Sequence, residues 1–315
     1  MGLYNLLTLL LTLSINLSIN MTSAISTTNT NNINNANTNT NTNIDTYNVL
    51  ALSGGGSFGA VEIGILDKIN SMETKKYDIY TGISAGGLNV GFLSHFDSLN
   101  LALPEVKNIY SELKNRNVFE IFPNTNVSLL NTEPLRKTIT KTISRLGSTK
   151  QATLIGSTNL NTAHLDIYEY HKLNNEQQID LLMATSAIPV VFPPIKFNNY
   201  LYVDGGEMFN EIITDITSDK FINVTFITPS NGIKPNYDIV TFKDIVKRNI
   251  DIVTSTYNNQ IYKSNVNCEK PRGVIYMWYC DSSTLSGYSS LDFNYGDDLI
   301  KIGYDNAKYD VYNLC

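Results

Sequence analysis

Twice along this chain a glycine-rich turn falls directly between an apolar strand-like segment and a helix-like one, and that arrangement most narrows the folds open to it. Residues 47–52 read YNVLAL, Gly54, Gly55 and Gly56 follow, and GAVEIGILDKI from Gly59 carries a helical pattern. The order recurs with a strand candidate at 77–81, the tight turn GISAG from Gly82 to Gly86, and a helix at 88–96. Strand, turn and helix in succession build α/β units on a mainly parallel sheet. The expectation is therefore an α/β fold of three layers, α/β/α, with a mainly parallel central sheet.

Further strand candidates lie at 152–157, 165–170, 200–203, 221–228 and 273–279, and helices are expected at 103–116, 133–144, 179–187, 242–261 and 297–312. In the helix at 242–261, Phe242, Ile245, Val246, Ile252 and Val253 share one face, as packing on a sheet requires. No stretch rich in Pro, Gly or charge divides 47–315, which reads as one domain. Before it, residues 1–26 contain the run LLTLLLTL, which suits a signal peptide or hydrophobic leader although no Lys or Arg precedes it. Residues 27–46 are dominated by Asn and Thr, have no apolar face to bury and read as a disordered spacer. Secretion or entry into the secretory pathway is expected, with membrane anchoring through an uncleaved leader as the alternative. Asn126 and Asn223 begin N-x-S/T sequons, of which Asn223 falls in an expected buried strand.

A net charge of −6 and no long basic run argue against nucleic acid as a partner. Cys268, Cys280 and Cys315 are too few and too scattered for a disulfide framework or, with three histidines, for a zinc site. Cys268 and Cys280 could be bridged in an exported protein, and free thiols are the simpler reading.

Ser84 sits in G-x-S-x-G. Gly82 and Gly86 let a strand turn sharply into a helix, which lifts the hydroxyl to the end of the sheet and the start of the helix. A helix-capping serine would give the same five letters. Gly54, Gly55 and Gly56 can turn successive N–H groups inward as a cradle for an oxyanion or a phosphate, with Gly59 opening the helix. A dinucleotide site fits poorly, because Asp78 alone stands where a ribose-binding acid belongs and no G-K-S/T is present. Asp204 follows the apolar LYV and precedes Gly205 and Gly206, so its carboxylate emerges at a strand end; a turn-forming aspartate is the plain alternative. A Ser, Asp, His triad in that chain order cannot use Asp204, since no histidine follows it. His95, on the expected helix after the serine, points away, and His164 and His171 bracket a strand. A Ser84–Asp204 dyad remains, with a side-chain separation expected between about 2.6 and 3.5 Å.

With these segments in hand, the chain resembles the patatin-like phospholipase family. The resemblance places the glycine-rich oxyanion motif on Gly54 to Gly59, with Gly54, Gly55 and Gly56 as the oxyanion hole. It places the nucleophile elbow on Gly82 to Gly86 and the D-G-G motif on Asp204 to Gly206, implying Ser84 as nucleophile and Asp204 as general base. LLNTEPLRKTI from Leu129, ATSAIPVVFPP from Ala184 and LYVDGGEMFN from Leu201 also resemble family segments, so the likeness is strongest over 47–229. It implies a patatin-like fold and hydrolysis of a lipid ester through an acyl-enzyme, without metal or cofactor. The implied substrates are phospholipids, lysophospholipids or neutral acyl esters, met at a membrane or micelle surface. The family commonly carries Arg or Lys where this chain has Phe58, which bears on loop anchoring. A binding or storage-like protein of the same fold, or a thioesterase or protease using the same serine, would share these residues.

Overall fold

The computed structural model describes residues 46–121, 127–208, 212–213, 216–231, 245, 248 and 270–314. The leader, the spacer apart from Thr46, nearly all of the helix expected at 242–261, Asn126, Cys268 and Cys315 lie outside them. Strand β1 (Thr46–Leu52) leads through the glycine loop to α1 (Gly59–Met72), and β2 (Ile79–Ile83) leads through Ser84 to α2 (Ala85–Leu93). Then come α3 (Leu99–Glu112), a one-turn α4 (Asn115–Val118), α5 (Glu133–Leu146), β3 (Thr153–Asn159), β4 (His164–Glu169) and α6 (Asn175–Thr185). The chain continues through β5 (Ile195–Phe197), β6 (Tyr200–Val203), β7 (Phe221–Ser230), β8 (Gly273–Cys280), α7 (Gly296–Asn306) and β9 (Lys308–Leu314).

Among the described residues these strands form one mixed sheet in the order β5-β6-β3-β2-β1-β7-β8-β9, with β4 also paired to β3. The middle of it, β3-β2-β1-β7-β8, is parallel, and β4, β5, β6 and β9 run antiparallel to their neighbours. Strand β1, at its centre, is apolar from Val49 to Leu52 because both of its faces are covered. Leu50 and Leu52 join the larger core with Ile63, Leu66, Val90, Leu93 and Ile155, while Val49 and Ala51 join Val224, Phe226, Ile275 and Met277 on the other face. Helix α1 is buried at every position from Gly59 to Leu66, as befits a helix between the sheet and α7. This is the arrangement of a three-layer α/β/α domain. Asn223 lies in β7, flanked by β1 and β8. Cys280 is a free, buried thiol. No described helix is long and apolar enough to cross a membrane.

Two expectations change. The helix expected at 297–312 stops at Asn306, and Lys308–Leu314 turns back as edge strand β9. Its Tyr and Val residues suit a strand, and Tyr309 stacks on Trp278 of β8 with ring centroids 4.6 Å apart. The helix after Ser84 ends at Leu93 and α3 begins at Leu99, so His95 lies in the connection between them.

Candidate active site

The register of the sheet brings the serine and the aspartate together. Strand β2 ends at Ile83, opposite Gly156 of β3, while β3 runs on to Asn159. Beyond the end of β2, β6 pairs with this overhang in the opposite direction, Tyr202 facing Asn159 and Val203 facing Thr158. Two strands therefore meet head to head beside β3, and the residue that leaves each one, Ser84 and Asp204, faces the other. The Ser84 hydroxyl donates to Asp204 Oδ2 at 2.7 Å.

Ser84 has φ 56° and ψ −125°, a conformation an L-residue enters at a cost. It precedes α2 in the N-cap position, yet its side chain makes no capping hydrogen bond. The capping alternative is thereby removed, since the hydroxyl is committed to Asp204. Three contacts hold the strained turn. The Ser84 N–H donates to Thr185 Oγ1 at 2.9 Å, the Thr185 hydroxyl donates to the Gly156 carbonyl at 2.6 Å, and the Gly86 N–H donates to the Ser53 carbonyl at 2.8 Å. Gly86 tolerates no side chain, because a Cβ there would lie 2.2 Å from the Ser53 carbonyl oxygen. Gly82 lies within β2, one residue before its end at Ile83.

Asp204 is only 5% exposed. Its backbone N–H donates to the Ala187 carbonyl at 2.9 Å, and its Oδ1 accepts from the Gly206 N–H at 2.8 Å. Gly205 and Gly206 form the short 3-10 turn that makes this possible. Burial pushes the Asp204 carboxyl up to about 7, against the pull of the hydrogen bonds from Ser84 and Gly206, and nearby Glu207 adds to the rise. A carboxylate that is scarcely basic in water thus becomes a base matched to neutral pH.

The glycine loop lies beside the serine turn, joined to it through Ser53. Gly56 has φ 58°, and a Cβ there would sit 2.2 Å from the Ser290 carbonyl oxygen. Only glycine fits so close an approach. Ser57 holds the loop from the same side, its N–H donating to the Ser290 carbonyl at 2.8 Å and its hydroxyl to the Ser289 carbonyl at 2.8 Å. Phe58, which stands where the resembled family commonly has Arg or Lys, is buried in the main core and donates its N–H to the Gly55 carbonyl at 3.1 Å. Anchoring therefore comes from the Ser289–Ser290 segment and from an apolar side chain, with Gly59 as the first residue of α1.

None of the histidines has Ser84 as a hydrogen-bonding partner. His95 is buried, with Nδ1 2.8 Å from the Gly147 carbonyl and Nε2 3.3 Å from the Tyr170 hydroxyl, and burial lowers its pKa. His171 Nδ1 accepts from the Thr153 N–H at 3.1 Å, and His164 is exposed at the start of β4. Sequence reasoning missed Thr185, although it lies in the segment ATSAIPVVFPP. It also missed Glu62, whose signal was a lone charge within the apolar start of α1.

The family model for patatin-like phospholipases matches residues 50–217. The chain is similar to "Probable lipid hydrolase 463L" of Invertebrate iridescent virus 6, at 28% identity over 242 residues, covering 66% of this chain and 82% of that protein. It is similar to the "cGAMP-activated phospholipase" of Vibrio cholerae serotype O1, at 26% identity over 222 residues, covering 57% of this chain and 62% of that one. Among solved structures, VipD from Legionella pneumophila aligns with a TM-score of 0.37 at 11% identity, covering 82% of this chain and 65% of VipD. The chain thus spans less than two thirds of the last two proteins.

Proposed function

Because the chain belongs to the patatin-like phospholipase family, we propose that it cleaves carboxylic ester bonds of lipids through a Ser84 acyl-enzyme, with Asp204 as general base. The observation that carries this reading is the 2.7 Å hydrogen bond from a strained, non-capping serine to a buried aspartate. Asp204 takes the hydroxyl proton as Ser84 Oγ attacks the ester carbonyl carbon, and the N–H groups of the Gly54–Gly56 loop stabilise the charge that develops on the carbonyl oxygen. Collapse of the tetrahedral adduct expels the alcohol, which takes up the proton from Asp204. In the second half, Asp204 takes a proton from water, whose oxygen attacks the acyl carbon; collapse of this adduct breaks the bond to Ser84 Oγ, which takes back the proton from Asp204 as the fatty acid leaves.

Phospholipids and lysophospholipids are the proposed substrates, in keeping with the names of the two relatives. Contact with a membrane or micelle surface is part of the proposal. Leu129 and Val190 are both exposed and joined by a hydrogen bond from the Leu129 N–H to the Val190 carbonyl, and Val190 is three residues from the Ala187 carbonyl that holds Asp204. We also propose a secretory leader at 1–26 and a spacer at 27–46 ahead of the domain at 47–315. N-terminal sequencing of the mature protein tests it: a new terminus within about 18–26 supports cleavage, and retention of Met1 on membrane-bound protein makes the leader an anchor.

The decisive experiment presents the full-length protein with phospholipids, lysophospholipids, triglycerides, a thioester and a peptide, with Ser84→Ala as control. Serine-dependent release of fatty acid from the lipids supports the proposal. Cleavage confined to the thioester or the peptide reassigns the leaving group, and no cleavage of any substrate leaves a binding protein.

A further inference from the structure

Behind the glycine loop lies a buried polar network that the reaction above does not use. Glu62 of α1 is fully buried. Its Oε1 lies 3.2 Å from Ser53 Oγ, and its Oε2 accepts from Asn89 Nδ2 of α2 at 3.0 Å. Asn89 Nδ2 also donates to the Gly59 carbonyl at 3.0 Å, and Asn89 Oδ1 accepts from the Tyr110 hydroxyl of α3 at 2.8 Å. Glu62 therefore touches the segment that opens the glycine loop with one oxygen and the helix that follows Ser84 with the other.

We propose that Glu62 is a positioning residue that orients the Gly54–Gly55 peptide of the oxyanion loop through the Ser53 hydroxyl. The inference rests on the reading of Gly54–Gly56 as that loop. Ser53 Oγ lies 3.3 Å from the Gly54 carbonyl oxygen as well as 3.2 Å from Glu62 Oε1. One hydroxyl proton cannot serve both acceptors well. The conflict disappears when Glu62 carries a proton, since Oε1–H then donates to Ser53 Oγ and the Ser53 proton is released to the Gly54 carbonyl. Burial raises the Glu62 carboxyl well above its ordinary value, which favours that state. The carbonyl of Gly54 and the N–H of Gly55 belong to one planar trans peptide and point in opposite directions. Drawing the carbonyl towards Ser53 therefore turns the Gly55 N–H away from Glu62 and the helices behind the loop. An ionised Glu62 would reclaim the Ser53 proton and remove this hold on the peptide.

Three variants of the full-length protein test the relay: Glu62→Ala, Glu62→Gln and Ser53→Ala. A glutamine amide can donate to Ser53 and accept from Asn89 as the neutral acid does. Glu62→Ala and Ser53→Ala should lower kcat by about tenfold or more with KM held within about twofold, the pattern of a lost transition-state donor. Glu62→Gln should restore most of the rate lost in Glu62→Ala. Ser53→Ala keeps the Glu62–Asn89 bond, so it reports on the relay if Glu62→Ala does not fold. Crystal structures of wild type and Ser53→Ala give a readout that needs no turnover, and rotation of the Gly54–Gly55 peptide in the variant is expected. An unchanged peptide plane, or Glu62→Gln as slow as Glu62→Ala, overturns the inference. Absence of ester cleavage by wild type would instead defeat the hydrolase reading, and the peptide-plane comparison would still judge Glu62.

Discussion

The two turns that leave β1 and β2 stand side by side but are fixed in different ways. The turn at Ser84 is fixed through its own backbone N–H groups. Gly86 packs on Ser53 and Thr185 receives the Ser84 N–H, so that φ 56° is held by backbone contact and one threonine. The glycine loop is fixed by Ser289 and Ser290, more than two hundred positions along the chain, and by the network of nearby Glu62 behind it. The glycines of the serine turn can be read from five letters, whereas neither Thr185, 101 positions from Ser84, nor Ser289, 232 positions from Ser57, can be read from the turn it holds. The same difference sets how each should respond to mutation.

The largest effects are expected at the serine turn. Ser84→Ala and Asp204→Asn should each lower lipid hydrolysis by at least about a hundredfold, since nucleophile and base act as a unit. Circular dichroism should show both variants folded. Near-wild-type turnover by either, with a structure showing the site intact, would remove the dyad. His171→Ala is the matched control with little expected loss, because its ring nitrogen bonds to Thr153 and not to the serine.

Next is Gly56→Ala in the loop. A Cβ that would lie 2.2 Å from the Ser290 carbonyl, at a φ of 58°, forces the loop to move. A shift near 1 Å in an oxyanion donor should cost between about ten- and a hundredfold in kcat with little change in KM. An equal loss confined to KM would mean that the loop binds substrate without stabilising the transition state.

How far the chain could be read follows the same line. The order of strand, glycine turn and helix was legible because it depends on near neighbours, and the sequence also pairs a serine with an aspartate once no histidine follows Asp204. What was not legible was the head-to-head meeting of β2 and β6 that joins them, because it depends on a two-residue pairing between β3 and β6. Strand β5, three residues long, and edge strand β9 were missed for a related reason, since each is defined by its pairing partner more than by its own pattern. Thr185 was hidden among ordinary core residues, its role set by the carbonyl of Gly156.

A third prediction concerns pH. If the ionised form of Asp204 is the base, kcat should rise with pH through about 7 and be roughly tenfold lower at about pH 6 than at about pH 8. Stability should move the other way. The folded protein holds the Asp204 proton up to about 7, whereas an ordinary aspartate in the unfolded chain gives it up near 4. The stabilisation this supplies is complete below about pH 4 and is lost as pH rises to about 7. Asp204→Asn, neutral throughout, should therefore melt at a higher temperature than wild type above pH 7, with the gap closing towards pH 4. A gap that is constant with pH would mean that Asp204 titrates alike folded and unfolded.

The smallest effect is expected from Ser57→Ala, which asks how firmly the distant segment holds the loop. The substitution removes the hydroxyl donated to the Ser289 carbonyl at 2.8 Å but leaves the Ser57 N–H bonded to the Ser290 carbonyl. One neutral hydrogen bond is worth about 1 kcal/mol, so kcat should fall by no more than about fivefold. Because Ser57 follows Gly56 directly, a loss approaching that of Gly56→Ala would show that the Ser289–Ser290 segment sets the oxyanion geometry. No loss at all would assign that work to Phe58 and to the network behind the loop.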